Sequence, residues 1–138
     1  MESAKLKQIL LSAVNASISA GVEILKIYKS DFEVELKDDN SPLTIADKKS
    51  NDIIYDALAS FEIPFLSEEG KEIPYDERKK WDYLFIIDPL DGTKEFVKKN
   101  GEFTVNIALV KKNKPILGVI YSPVSGELFF SLADFGVY

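Results

Sequence analysis

Asp88 and Asp91 stand three residues apart in Asp88-Pro89-Leu90-Asp91-Gly92-Thr93, directly after an aromatic and aliphatic segment, Trp81 to Ile87. Two carboxylates on a corner where a strand hands over to a helix can hold a hard cation, and the N–H groups of the helix start favour an anion. A site that takes a metal ion and a phosphate together is what metal-assisted phosphate hydrolysis requires. A second acidic pair lies in Ser67-Glu68-Glu69-Gly70, again between a short apolar stretch and a glycine. If the two strands are neighbours, the corners bring three carboxylates together. Carboxylates and a backbone carbonyl suit Mg²⁺, Mn²⁺ or Ca²⁺, which would polarise a phosphate oxygen and make a bound water more acidic. The Thr93 hydroxyl is placed to orient that water, and the amides of Gly92 and Thr93 to hold the phosphate. A capped turn that binds nothing accounts for the same six residues by spacing alone.

The elements that must carry these residues follow from pattern. Apolar residues at Leu6, Ile9, Leu10, Ala13, Val14, Ile18, Val22, Leu25 and Tyr28 predict a long amphipathic helix from about Lys5 to Tyr28. Asp31 to Ser41 is acidic and aperiodic, ending in a loop at Lys37 to Pro42. Thr44 and Asp47 fit a capping box, with Thr44 as N-cap, for a second helix reaching about Phe61. Capping is thus a sufficient structural reason for Asp47. Ile63 to Leu66 reads as a short strand, Lys71 to Lys80 as a surface loop, and Tyr83 to Ile87 as a buried strand. Pro89 should end that strand at Asp88, and Asp91 should cap a helix near Thr93 to Lys99, stopped by Asn100-Gly101. Phe103 to Val110, Pro115 to Tyr121 and Glu127 to Leu132, joined by short turns, predict an antiparallel meander. The expected fold is α+β, two long helices on one face of a largely antiparallel sheet.

With 138 residues and 46% hydrophobic content, the chain is one domain's worth of sequence with a core to bury. It contains no histidine and no cysteine, which removes His- or Cys-built zinc sites and Ser-His-Asp triads. A net charge of −6 argues weakly against nucleic-acid binding, although bound cations can still draw an acidic protein to phosphate esters. No stretch looks apolar for long enough to cross a membrane, and no basic-then-apolar leader opens the sequence, so a cytoplasmic setting is expected.

Ser41-Pro42-Leu43-Thr44-Ile45-Ala46-Asp47, Ser67 to Gly70 and Asp88 to Thr93 together resemble the signature of the lithium-sensitive, Mg²⁺-dependent phosphatases that include inositol monophosphatase. The continuation from Lys94 to Leu109 is similar to the bacterial 3′(2′),5′-bisphosphate nucleotidases of the CysQ type, which remove a phosphate from 3′-phosphoadenosine 5′-phosphate. The resemblance covers essentially the whole chain. It implies metal ligation by the carboxylates of Glu69, Asp88 and Asp91 and by the carbonyl of Leu90, with Glu69 chosen over Glu68. It makes Thr93, Asp47 and Glu69 the catalytic set, Gly92 and Thr93 the phosphate-holding helix start, and Lys37 a loop lysine near the metals. Lys94 marks the subfamily without a mechanical role.

Members of that family are about twice this long, and their second half adds a further metal-binding aspartate and most of the sugar- and base-reading surface. The chain therefore resembles an amino-terminal metal-binding domain, residues 1–138, expected to have little activity without its carboxy-terminal partner domain. Two rival readings stay open: an inositol- or sugar-phosphate phosphatase, and a non-enzymatic acidic domain that binds divalent cations or pairs through an open sheet edge.

Overall fold

The computed structural model describes residues 1–30 and 41–138. The first helix, α1, runs Ser3–Tyr28. It buries Ile9, Ala13, Ala16, Ala20 and Ile24, whereas Ile18 and Val22, predicted to face the core, are exposed. The buried side is the one with small residues, because they allow close approach. At Gly21 an added Cβ would stand 2.6 Å from the Tyr121 ring. By length and composition α1 is apolar enough to cross a membrane, which corrects the sequence expectation. Its Ile9–Ile24 face packs against the second helix and the sheet, as the face of a core helix does.

The second helix, α2, spans Pro42–Leu58, and a single 3₁₀ turn carries it on to Phe61 as expected. Its cap is Ser41 rather than Thr44: the Thr44 N–H donates to Ser41 Oγ at 3.1 Å. Pro42 takes the first helical position, where a missing N–H costs nothing. Asp47 lies beyond the orphan N–H groups of the first turn and is not a capping residue. The structural explanation for it is gone.

Six strands form one sheet in sequence order: β1 (Phe65–Ser67), β2 (Tyr83–Asp91), β3 (Thr104–Lys111), β4 (Lys114–Ser122), β5 (Glu127–Leu132) and β6 (Gly136–Val137). β1 pairs parallel to β2, and the rest are antiparallel hairpin partners. The predicted strand at Ile63 to Leu66 is displaced toward Ser67. The Lys71–Lys80 loop contains a one-turn helix, α3, at Tyr75–Arg78. Both long helices lie on one face, α1 against β3 to β5 and α2 against β2, so the α+β expectation holds.

Alternation along the strands sends Phe85, Ile87, Ile107, Leu109, Leu117 and Val119 into the core. Each such side chain contributes about 1.5–3 kcal/mol by leaving water. A short helix, α4 (Thr93–Lys98), closes the end of the sheet. Phe96 anchors it, with ring centroids 5.5 Å from Tyr28 and 5.4 Å from Phe103, while Tyr28 and Phe103 lie 4.9 Å apart.

Candidate metal centre and active site

Pro89 does not end β2. The strand continues to Asp91, and between the pairs Asp88↔Asn106 and Asp91↔Thr104 two residues of β2 face one of β3. That is a β-bulge, one of the few places in a sheet where proline is tolerated. The bulge has a chemical consequence. In a regular strand, residues three apart point to opposite faces, but the extra residue restores them to one side. Asp91 and Asp88 are accordingly close enough for Asp91 to push the Asp88 carboxyl up, while the Leu90 backbone beside it acts in the opposite sense. Asn106, directly across from Asp88, donates through Nδ2 to Asp91 Oδ2 at 3.0 Å.

Asp91 is not the cap of α4. Gly92 holds that position, in a left-handed conformation with φ 91°. An added Cβ there would meet the Glu102 carbonyl oxygen at 3.0 Å, so backbone angle and crowding both select glycine. The turn thereby frees the Asp91 carboxylate for other partners. Thr93 opens α4 and is exposed, so its hydroxyl is accessible. Helix termination is also a correction: Lys99, at φ 57°, takes the left-handed position before Asn100-Gly101.

α2 supports this corner from below. Ser50, fully buried, donates through Oγ to the Pro89 carbonyl at 2.7 Å. Asp47 stands one helical turn earlier, on the same face of α2. It is only 7% exposed, and its carboxyl is pushed up to about 7, first by burial and then by the charges of Glu69, Asp88 and Glu68. Asp88 is pushed up to about 6, again first by burial, then by Glu68 and Asp91. The glutamates arrive on the turn after β1, fastened by Glu68 N–H to the Ile87 carbonyl at 3.4 Å and Gly70 N–H to the Ser67 carbonyl at 3.0 Å. Ser67 Oγ in turn donates to Asn51 Oδ1 at 2.6 Å and accepts from the Glu69 N–H at 3.3 Å.

The structure thus brings Asp47, Glu68, Glu69, Asp88 and Asp91 within electrostatic reach of one another, from α2, the β1 turn and the end of β2. Glu68 acts on both Asp47 and Asp88, whereas Glu69 acts on Asp47. Lys37 lies outside the described residues. Among the described residues no ion pair reaches these carboxylates, and no three acidic side chains are gathered tightly enough to grip an ion as they stand. Glu68, Glu69 and Asp91 are all exposed. The donor set fits a hard dication: every member is an oxygen acceptor, and the Asn106 Oδ1 beside them is buried without a partner.

Asn106 and Ser50 are participants that sequence reasoning missed. One sits in a regular alternating strand and the other on a helix face. Only the pairing register and the packing of α2 on β2 connect them to the acidic corner.

A family model described as the inositol monophosphatase family matches residues 5–138. A 3′(2′),5′-bisphosphate nucleotidase CysQ from Haemophilus influenzae is 38% identical over 135 residues, covering 96% of this chain and 49% of its own length. The counterpart from Escherichia coli K12 is 45% identical over 115 residues, 80% of this chain and 46% of its own. Among solved structures, CysQ from Bacteroides thetaiotaomicron superposes with a TM-score of 0.87 at 51% identity, covering 94% of this chain and 47% of that one. The chain spans about half the length of the curated relatives it matches.

Proposed function

The chain belongs to the inositol monophosphatase family, and from that premise we propose that a protein of the relatives' full length containing it is a Mg²⁺-dependent phosphatase of 3′-phosphoadenosine 5′-phosphate. The reading rests on one observation above the rest: buried Asp47, with no capping duty, is pushed up to about 7 while Glu69, Asp88 and Glu68 crowd it. Like charges held together without a cation are costly, and a site built that way favours a dication over the bare protein. The names of the relatives supply the substrate class.

Glu68, Glu69, Asp88, Asp91 and the Leu90 carbonyl are the groups we assign to Mg²⁺. When bound, the ion would neutralise phosphate charge and polarise its oxygens. The chain's own residues do the remaining work. The amides of Gly92 and Thr93 bind the phosphate oxygens, and Phe96 fixes the position of that turn. The Thr93 hydroxyl orients the attacking water, Asp47 takes up its proton, and Glu69 holds the two in place from the β1 turn. The bulge at Pro89 keeps both aspartates on one side of β2.

The test is phosphate release by the full-length protein from 3′-phosphoadenosine 5′-phosphate and from inositol 1-phosphate, side by side with Mg²⁺. A preference for the nucleotide supports the proposal. A preference for the inositol ester moves the assignment to an inositol- or sugar-phosphate phosphatase. The 138-residue chain alone should show little turnover.

A further inference from the structure

At the opposite end of β2 from the acidic corner, about 20 Å away at the rise of a strand, lies a feature of the other sign. Arg78, Lys79, Lys80 and Lys112 line an open cleft of about 460 Å³ together with Tyr75, Trp81, Asp82, Leu84 and Asn113. In a chain of net charge −6, four cations there face one carboxylate. Lys79 is held by Asp76 at 2.8 Å, but among the described residues Arg78, Lys80 and Lys112 make no ion pair. The Arg78 Nε is buried with no hydrogen-bond partner, although a buried guanidinium donor is ordinarily satisfied. Lys112 occupies a left-handed position, φ 56°, in the hairpin turn, where glycine or asparagine is the usual choice. Its N–H is tied to the Asp82 carbonyl at 2.6 Å, so the turn is fastened to the cleft floor. Two aromatic side chains, Tyr75 and Trp81, border the same space, with the Arg78 guanidinium 5.7 Å from the Tyr75 ring centroid.

We propose that this cleft binds a small phosphate ester carrying a flat ring, a nucleoside phosphate, at a site separate from the acidic corner. Cations without carboxylate partners call for an anion with several acceptor oxygens. The bordering aromatic faces select a planar ring over an aliphatic one.

Trp81 is the sole tryptophan of the chain, so its fluorescence reports on the cleft directly. AMP titrated into the 138-residue chain in EDTA, where the acidic corner has no cation to draw phosphate, should give a saturable emission change. Affinity should fall roughly tenfold or more in a K80Q/K112Q double variant of unchanged circular dichroism, and stay the same in Asp91→Asn. Adenosine and inorganic phosphate should each bind more weakly than AMP. The proposal is overturned by the absence of any saturable change through the millimolar range, by affinity indifferent to the double substitution, or by loss of binding in Asp91→Asn. Inorganic phosphate binding as tightly as AMP would remove the ring from the assignment and overturn it as stated.

Discussion

Ser50 Oγ donates to the carbonyl of Pro89 at 2.7 Å, a buried hydrogen bond between residues 39 positions apart in the chain. It ties the helix that carries Asp47 to the bulge that carries Asp88 and Asp91. Replacing Ser50 with alanine takes a buried donor away from that carbonyl, which costs about 1–3 kcal/mol. Urea unfolding of Ser50→Ala should show the loss as a lower midpoint with an unchanged slope. Affinity for Mg²⁺ should fall as well, since the corner loses its brace.

Gly92→Ala should destabilise the chain by about 1–3 kcal/mol, the usual cost of forcing a side chain into a sparsely populated backbone region. The crowding from the Glu102 carbonyl at 3.0 Å adds to it. Thermal unfolding in EDTA reads the fold component. Any greater loss of phosphate affinity in Mg²⁺, beyond that expected from stability, reads the displaced Gly92 and Thr93 amides.

The contrast between Asp91 and Asp47 shows how far the residues alone could be read. That Asp88, Asp91 and the glutamate pair stand at strand exits is legible because the flanking apolar runs and glycines are local. The helices and meander were legible from their periods. A capping box at Thr44 and Asp47 fits the sequence pattern, but Pro42 at the first helical position puts the cap one residue back at Ser41, which leaves Asp47 without a capping duty. Proline cannot donate to a ladder, so Pro89 predicts a strand end; a bulge absorbs the defect, and only the β2–β3 register reveals one. The choice between Glu68 and Glu69 depends on how the turn after β1 aims each side chain. Local sequence does not encode that. The hydrophobic pattern of α1 likewise failed at Ile18 and Val22, where the tighter packing of alanine and glycine on the other side decided the buried face.

The acidic corner should make metal-free stability depend on pH in the unusual direction for carboxylates. A carboxyl raised in the folded state stabilises while protonated. That contribution is complete below the ordinary value of 3.8 and is lost as pH rises through about 6 for Asp88 and about 7 for Asp47. In EDTA, these two groups should therefore lower the melting temperature progressively from pH 4 to pH 7, and Asp47→Asn should flatten the trend. Mg²⁺ added above pH 7 should raise it again, because the ion binds the ionised form.

The two glutamates should separate in a metal titration. Glu68 acts on both Asp88 and Asp47, and Glu69 on Asp47. Glu68→Gln should weaken Mg²⁺ binding roughly tenfold more than Glu69→Gln, while Glu69→Gln should weigh more heavily on turnover of the full-length protein. The reverse order in calorimetry would make Glu69 the stronger of the two ligands.

The most direct measurement is isothermal titration of the 138-residue chain with Mg²⁺ at neutral pH, in wild type, Asp88→Asn and Asp91→Asn. The account expects saturable binding in the wild type and its loss in both variants, with circular dichroism unchanged. No binding to the wild type, or binding that both substitutions leave intact, would contradict the claim that these carboxylates were assembled to hold a cation.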